Sequence, residues 1–138
     1  MPISKLYGVK RDVRCALRIR YITTSAQLLH AAARYEDRQM LAQATDLQPE
    51  AVTAVVRRAD IARVNGIGSG FARLLAEIGV VDVAILAVQD PEALRLRLHA
   101  FNQAERLLRR CPTLDEIVDW IAQARRLPSV VRYAPQEG

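Results

Sequence analysis

The sequence predicts an all-α fold: two tandem copies of one helical unit, packed as one compact body. Three observations predict it. Apolar residues recur at three- and four-residue spacings along most of the chain, and almost no stretch alternates as a half-buried strand would. Helix-start signals recur between those stretches. A shift of 58 residues, from Gly8 to Gly66, lays "ISKLYGVKRDVRCALRIRYITTSAQLL" over "IARVNGIGSGFARLLAEIGVVDVAILA". Ile3, Gly8, Leu17, Ala26 and Leu28 then meet Ile61, Gly66, Leu75, Ala84 and Leu86, at positions suited to turns and core. The composition agrees, since Ala, Leu, Arg and Val dominate a chain of 138 residues in which 51% are hydrophobic and 5% aromatic.

The elements follow in order. "CALRIRYI" alternates locally, yet Val13, Leu17 and Ile22 carry a helical face through it, so a helix is expected over 10–20. Thr23 or Thr24 supplies an N-cap for 24–32, and a further helix covers 35–44. Pro49 in a first turn with Glu50 beside it opens 49–63. Helices over 69–78 and 82–88 follow the glycines. Asp90 as N-cap with Pro91 at the first helical position opens 91–110. "TLDEIVDWI" is a capping box in which Thr113 and Glu116 satisfy each other's amides. The helix it opens, 114–126, repeats Leu114, Ile117, Val118, Ile121 and Ala124, with Trp120 near the stripe, and Pro128 ends it. The first part of the tail "SVVRYAPQEG" is expected to pack and its last residues to move.

"NGIGSGFARLL" carries the strongest local signal. Glycine is costly inside a helix, so three glycines at 66, 68 and 70 imply a need for bare backbone. No Gly-Lys-Ser/Thr follows, as a Walker loop requires. Phe71 stands where a dinucleotide fingerprint needs its third glycine, and no strand precedes it. The spacing resembles the helix-hairpin-helix motif, with a short helix near 59–64 turning into 69–78. The resemblance implies that Gly66 takes a backbone conformation closed to other residues, Ile67 plugs the turn, and Gly68 allows a close approach. The amides of Ser69 and Gly70 then stand at a helix N-terminus, where unpaired donors and the helix dipole favour a phosphate oxygen.

From "ADIARVNGIGSGFARLLAEIGV" through "PEALRLRL" to "LLRRCPTLDEIVDWIAQARRLPSVVRY", the order of segments resembles an uncharacterised bacterial family, a domain of unknown function with tandem helix-hairpin-helix units. That likeness implies two units, 1–58 degenerate and basic and 59–128 intact with the capping-box helix, then a tail over 129–138. It implies no enzyme activity. The first unit departs from the pattern: Lys10 replaces the second glycine, Arg14 stands where Ala72 stands, and Tyr21 where Gly79 stands.

The net charge of +5 lies wholly in the first half, where residues 1–58 hold ten basic and five acidic side chains and residues 59–138 hold ten of each. A basic block attracts nucleic acid or an acidic partner, and otherwise forms a solvated arginine-rich surface. The expected function is a small non-catalytic module that binds nucleic-acid backbone, such as DNA, without reading sequence. Gly66, Gly68, Ser69 and Gly70 form its hairpin, flanked by Arg63 and Arg73, and Lys5, Lys10, Arg11 and Arg14 form a second patch. The alternative is a protein-interaction or scaffold module whose hairpins are purely structural. Isolated His30 and His99, distant Cys15 and Cys111, and a serine without a base give no metal site, cofactor or catalytic group. No small-molecule substrate is expected. With no apolar core in "MPISKLYGVKRDVR" and no membrane-length apolar run, the expected location is cytoplasmic, away from membranes.

Overall fold

A computed structural model describes residues 1–134 and divides the chain into two units. The described residues form eight α-helices and a short 3-10 turn, Ile3–Lys5, with no strand. The fold is all-α.

The first unit comprises Met1–Asp60 and the segment that begins at Val130. It holds α1 (Arg11–Ile19), α2 (Ser25–Ala32), α3 (Tyr35–Thr45) and nearly all of α4 (Pro49–Ile61). Thr24, not Thr23, caps α2, in a capping box closed by Gln27. The N-terminal residues are pinned to the α1–α2 turn: Ile3 N–H donates to Thr23 O at 2.9 Å and Ser25 N–H to Met1 O at 2.8 Å. Leu17, Leu28, Ala32 and Val56 are at most 1% exposed and mark the core. The tail begins inside this unit. Arg132 N–H donates to Ala33 O, and Val131 is buried. The expectation that its last residues move falls outside the described residues.

The second unit, Ile61–Ser129, holds α5 (Gly68–Glu77), α6 (Val83–Ala87), α7 (Pro91–Glu105) and α8 (Leu114–Arg126). Helix α8 packs on α6 and α7, and α5 packs on α7. Asp90 caps α7 with Pro91 in its first turn, and Thr113 with Glu116 closes the capping box of α8. Leu75, Leu86, Ile117, Trp120 and Ile121 are all at most 2% exposed. Leu114 and Val118 are exposed, so the buried stripe of α8 runs through Ile117, Trp120, Ile121 and Ala124 instead.

Helix α7 stops at Glu105, five residues short of the sequence expectation. Arg106 enters the left-handed region (φ 52°), and the buried Asn102 side chain takes over the chain beyond it. Its Nδ2 donates to Leu108 O at 2.9 Å and its Oδ1 accepts from Leu108 N–H at 2.8 Å. "RLLRR" has the propensity to continue a helix, but this tertiary clamp overrides it.

Hydrogen bonds recur at the 58-residue shift. Ile22 N–H donates to Leu17 O and Val80 N–H to Leu75 O; Leu6 N–H donates to Ile3 O and Val64 N–H to Ile61 O. The closing helices α4 and α8 are 13 residues each. Val52, Val55, Val56 and Ala59 occupy the same helical positions as Ile117, Trp120, Ile121 and Ala124, and all eight are buried.

Candidate functional site

The turn between α4 and α5 starts where Val64 N–H closes on Ile61 O. Gly66 (φ +93°) and Gly68 (φ +65°) both lie in the left-handed region, which explains glycine at each. Between them Ile67 is 1% exposed and anchors the turn in the core. Helix α8 grips the turn from beneath. Asn65 N–H donates to Gln123 Oε1 at 2.8 Å, and Gln123 Nε2 donates back to Asn65 O at 2.9 Å. Gln123 Nε2 also donates to Asp119, which fixes the amide's orientation. Trp120 lies under Gly66 and stacks at a tilt on Phe71, with centroids 5.3 Å apart.

The three glycines serve different purposes. A Cβ on Gly68 would meet nothing within 4 Å. The expected close approach to a neighbour is therefore absent among the described residues, and a side chain there would point into open space. A Cβ on Gly70 would come within 3.0 Å of Leu108 Cδ2. Gly70 thus makes room for the loop after α7, a role that the sequence expectation assigned to phosphate contact alone. Ser69 and Gly70 are exposed, and Ile67 places no side-chain cap on α5. The first amides of a helix have no intrahelical acceptor, so these two donors point outward at a positive dipole end.

The flanking cations divide. Arg73 is exposed on α5. Arg63 turns back, donating from Nη2 to Pro128 O at 2.7 Å, which ties one side of its guanidinium to its own unit. Sequence reasoning passed over the cations that adjoin the hairpin through Leu108. Arg106 and Arg109 are exposed on that loop. Arg110 stacks over Phe71 at 5.0 Å and pairs bidentately with Glu116. The Arg110 side chain, together with the Thr113 amide, holds the Glu116 carboxyl down at about 2.

In the first unit the turn after the 3-10 helix keeps Gly8 in the left-handed region (φ +64°), but Lys10 is extended (φ −68°, ψ 151°) where Gly68 is left-handed. The first turn therefore does not reproduce the open backbone of the second. Lys5, Lys10 and Arg11 are exposed and Arg14 is half-buried. Arg58 holds this turn: its Nη1 donates to Gly8 O at 3.1 Å, and the guanidinium lies 4.8 Å over the Tyr7 ring. Arg58 and Gln123 share one position in α4 and α8, so each closing helix grips the turn of its own unit from the same place. The equal lengths of α4 and α8 carry that signal, but the 58-residue shift does not align them.

Arg38 is a second feature missed from sequence. It is 1% exposed, and its Nη atoms donate to the carbonyls of Ala32, Ala33 and Arg132. Tyr133 lies beneath it, with the ring centroid 5.5 Å from the guanidinium carbon. Burial pushes the Arg38 pKa below its usual value. The described residues hold no group of three or more His, Cys, Asp or Glu able to bind a metal ion, and no helix long and apolar enough to cross a membrane.

Residues 7–127 match the family described as Domain of unknown function (DUF4332), and the chain belongs to it. No curated protein and no solved structure matches the chain.

Proposed function

We propose that this member of the DUF4332 family is a non-catalytic binding module, built from two helix-hairpin-helix units, that contacts nucleic-acid backbone without reading base sequence. One observation carries the reading: Gly68 holds a left-handed backbone beside open space, at the uncapped start of α5. None of the described residues fills that space, and a phosphate oxygen on the amides of Ser69 and Gly70 would use it. Arg73 adds an exposed cation on the same helix, and the exposed Lys5, Lys10 and Arg11 supply a separate side-chain patch in the first unit. Such contacts give affinity and register rather than specificity.

A second reading is a protein-interaction or scaffold module. The observation that favours it is the use of the hairpin for packing: Gly70 admits Leu108, and Gln123 clamps Asn65. Two variants at one position separate the readings. Asn tolerates the left-handed region better than other side chains, so Gly68→Asn retains the turn while placing an obstacle over the amides. The nucleic-acid reading expects Gly68→Asn to fold with nearly unchanged melting temperature and to lose affinity for duplex DNA. The scaffold reading expects no DNA affinity to lose. Gly68→Val, β-branched and strained at this φ, lowers stability in either case and serves as the folding control.

A further inference from the structure

Helices α1 and α5 end with the same turn and different residues. In the second unit Gly79 takes the left-handed conformation (φ +91°), its N–H donating to Ala76 O. In the first unit Tyr21 takes it (φ +62°), its N–H donating to Arg18 O. A bulky side chain costs free energy there and glycine does not. Packing returns nothing for that cost, because Tyr21 is 87% exposed. The neighbours change in the same sense. Where the second unit has Glu77, Ile78 and Gly79, the first has Ile19, Arg20 and Tyr21, and Ile19 is itself 79% exposed.

Ile19, Arg20 and Tyr21 line an open groove of about 540 Å³ with Ala16 and, from the end of α3, Ala44 and Thr45. Its lining includes the apolar Ala16 and Ile19 and the aromatic Tyr21, and its one lining charge is Arg20. The segment that ends at this groove is basic in sequence: residues 10–20 hold Lys10, Arg11, Arg14, Arg18 and Arg20 against one acid, Asp12, and Asp46 follows Thr45. An exposed aromatic ring beside Arg20, at the end of this basic segment, suits a polyanion that carries flat apolar faces.

We propose that Tyr21 and Arg20 form a stacking site for one unpaired base of single-stranded nucleic acid, with Tyr21 under the base and Arg20 on the adjacent phosphate. The site rests on the nucleic-acid reading above and adds to it a preference for strands with accessible bases. Base–aromatic stacking tolerates any sequence, because every base has a π-face. Duplex DNA keeps its bases stacked internally and engages only the backbone contacts.

The test uses fluorescence anisotropy at low salt with a labelled single strand of about 15 nucleotides, spanning the usual site sizes, and a duplex of the same length. Tyr21→Gly restores the residue that the second unit uses, so it is expected to melt at the same temperature or higher. It should weaken single-strand binding roughly tenfold, within the range for one stacked base, and leave duplex binding unchanged. Tyr21→Phe should retain single-strand binding. If wild type binds both probes and Tyr21→Gly binds the single strand equally well, the stacking site is wrong and the backbone reading stands. If wild type binds duplex but not single strand, the stacking site falls alone. If wild type binds neither, both fall. A labelled poly-glutamate peptide completes the test: affinity for it that depends on Tyr21, with none for the single strand, would assign the groove to an acidic protein segment and overturn the proposal.

Discussion

Arg38 shows how much one side chain can hold at the residue scale. Its guanidinium bonds three carbonyls from two distant stretches of chain, and its Nε is buried without a hydrogen-bond partner. Removing it strands those acceptors. Arg38→Ala is expected to cost about 3 kcal/mol, the scale for buried acceptors left unpaired, measured by chemical denaturation. Arg38→Lys should recover little of that, because an ammonium cannot reproduce the planar fork. Tyr21 shows the opposite balance. Its conformation is strained and its side chain exposed, so Tyr21→Gly is expected to raise stability by about 1 kcal/mol from the relief of left-handed strain. Neither effect is legible in sequence. Arg38 reads there as one more arginine on an amphipathic helix, and only the return of the tail over Ala33 explains its burial.

At the scale of elements, α8 closes its unit through Trp120 and grips the hairpin through Gln123. Trp120→Ala should cost about 3–5 kcal/mol, as for a fully buried aromatic, in equilibrium urea unfolding. The start of α8 adds a pH dependence. The folded Glu116 carboxyl titrates near 2, below its ordinary 4.5. Its contribution is therefore complete above about pH 4.5 and is lost as pH falls toward 2. Glu116→Gln should flatten that part of the acid-stability curve, which a series of melts between pH 5 and 2 would measure. Most of this scale was legible. Asp90 and Thr113 announced their helices because capping is local chemistry, the pair Thr23 and Thr24 narrowed a third start to two residues, and Ile117, Trp120 and Ile121 announced a buried face. The end of α7 was not legible, because Asn102 and Gly70 act on Leu108 across space. The exposure of Leu114 and Val118 shows the same limit: an apolar residue near a stripe need not lie within it.

At the scale of the whole molecule, the repeat divides its labour unevenly. The second unit has the open, left-handed hairpin backbone. The first has an extended Lys10 there, and residues 1–58 carry the chain's entire excess of positive charge. The glycine pattern made the turn visible in the sequence, since the left-handed backbone at 66 and 68 calls for glycine. It could not tell Gly68, which faces open space, from Gly70, which makes room for Leu108. The proposed function expects two contacts of different kind, a backbone nest in the second unit and a patch of side chains in the first. Lys10→Glu with Arg14→Glu should weaken DNA binding, and the loss should add to that of Gly68→Asn if each unit meets its own phosphates.

The most direct measurement is the affinity of the wild-type chain for duplex DNA across a salt titration. Binding is expected near 10⁻⁴–10⁻⁶ M at physiological salt with little sequence preference. The logarithm of affinity should fall with the logarithm of salt at about −0.9 per neutralised phosphate. Absence of binding even at roughly 20 mM salt, where screening is weak, would contradict nucleic-acid contact and leave the hairpins a purely structural role.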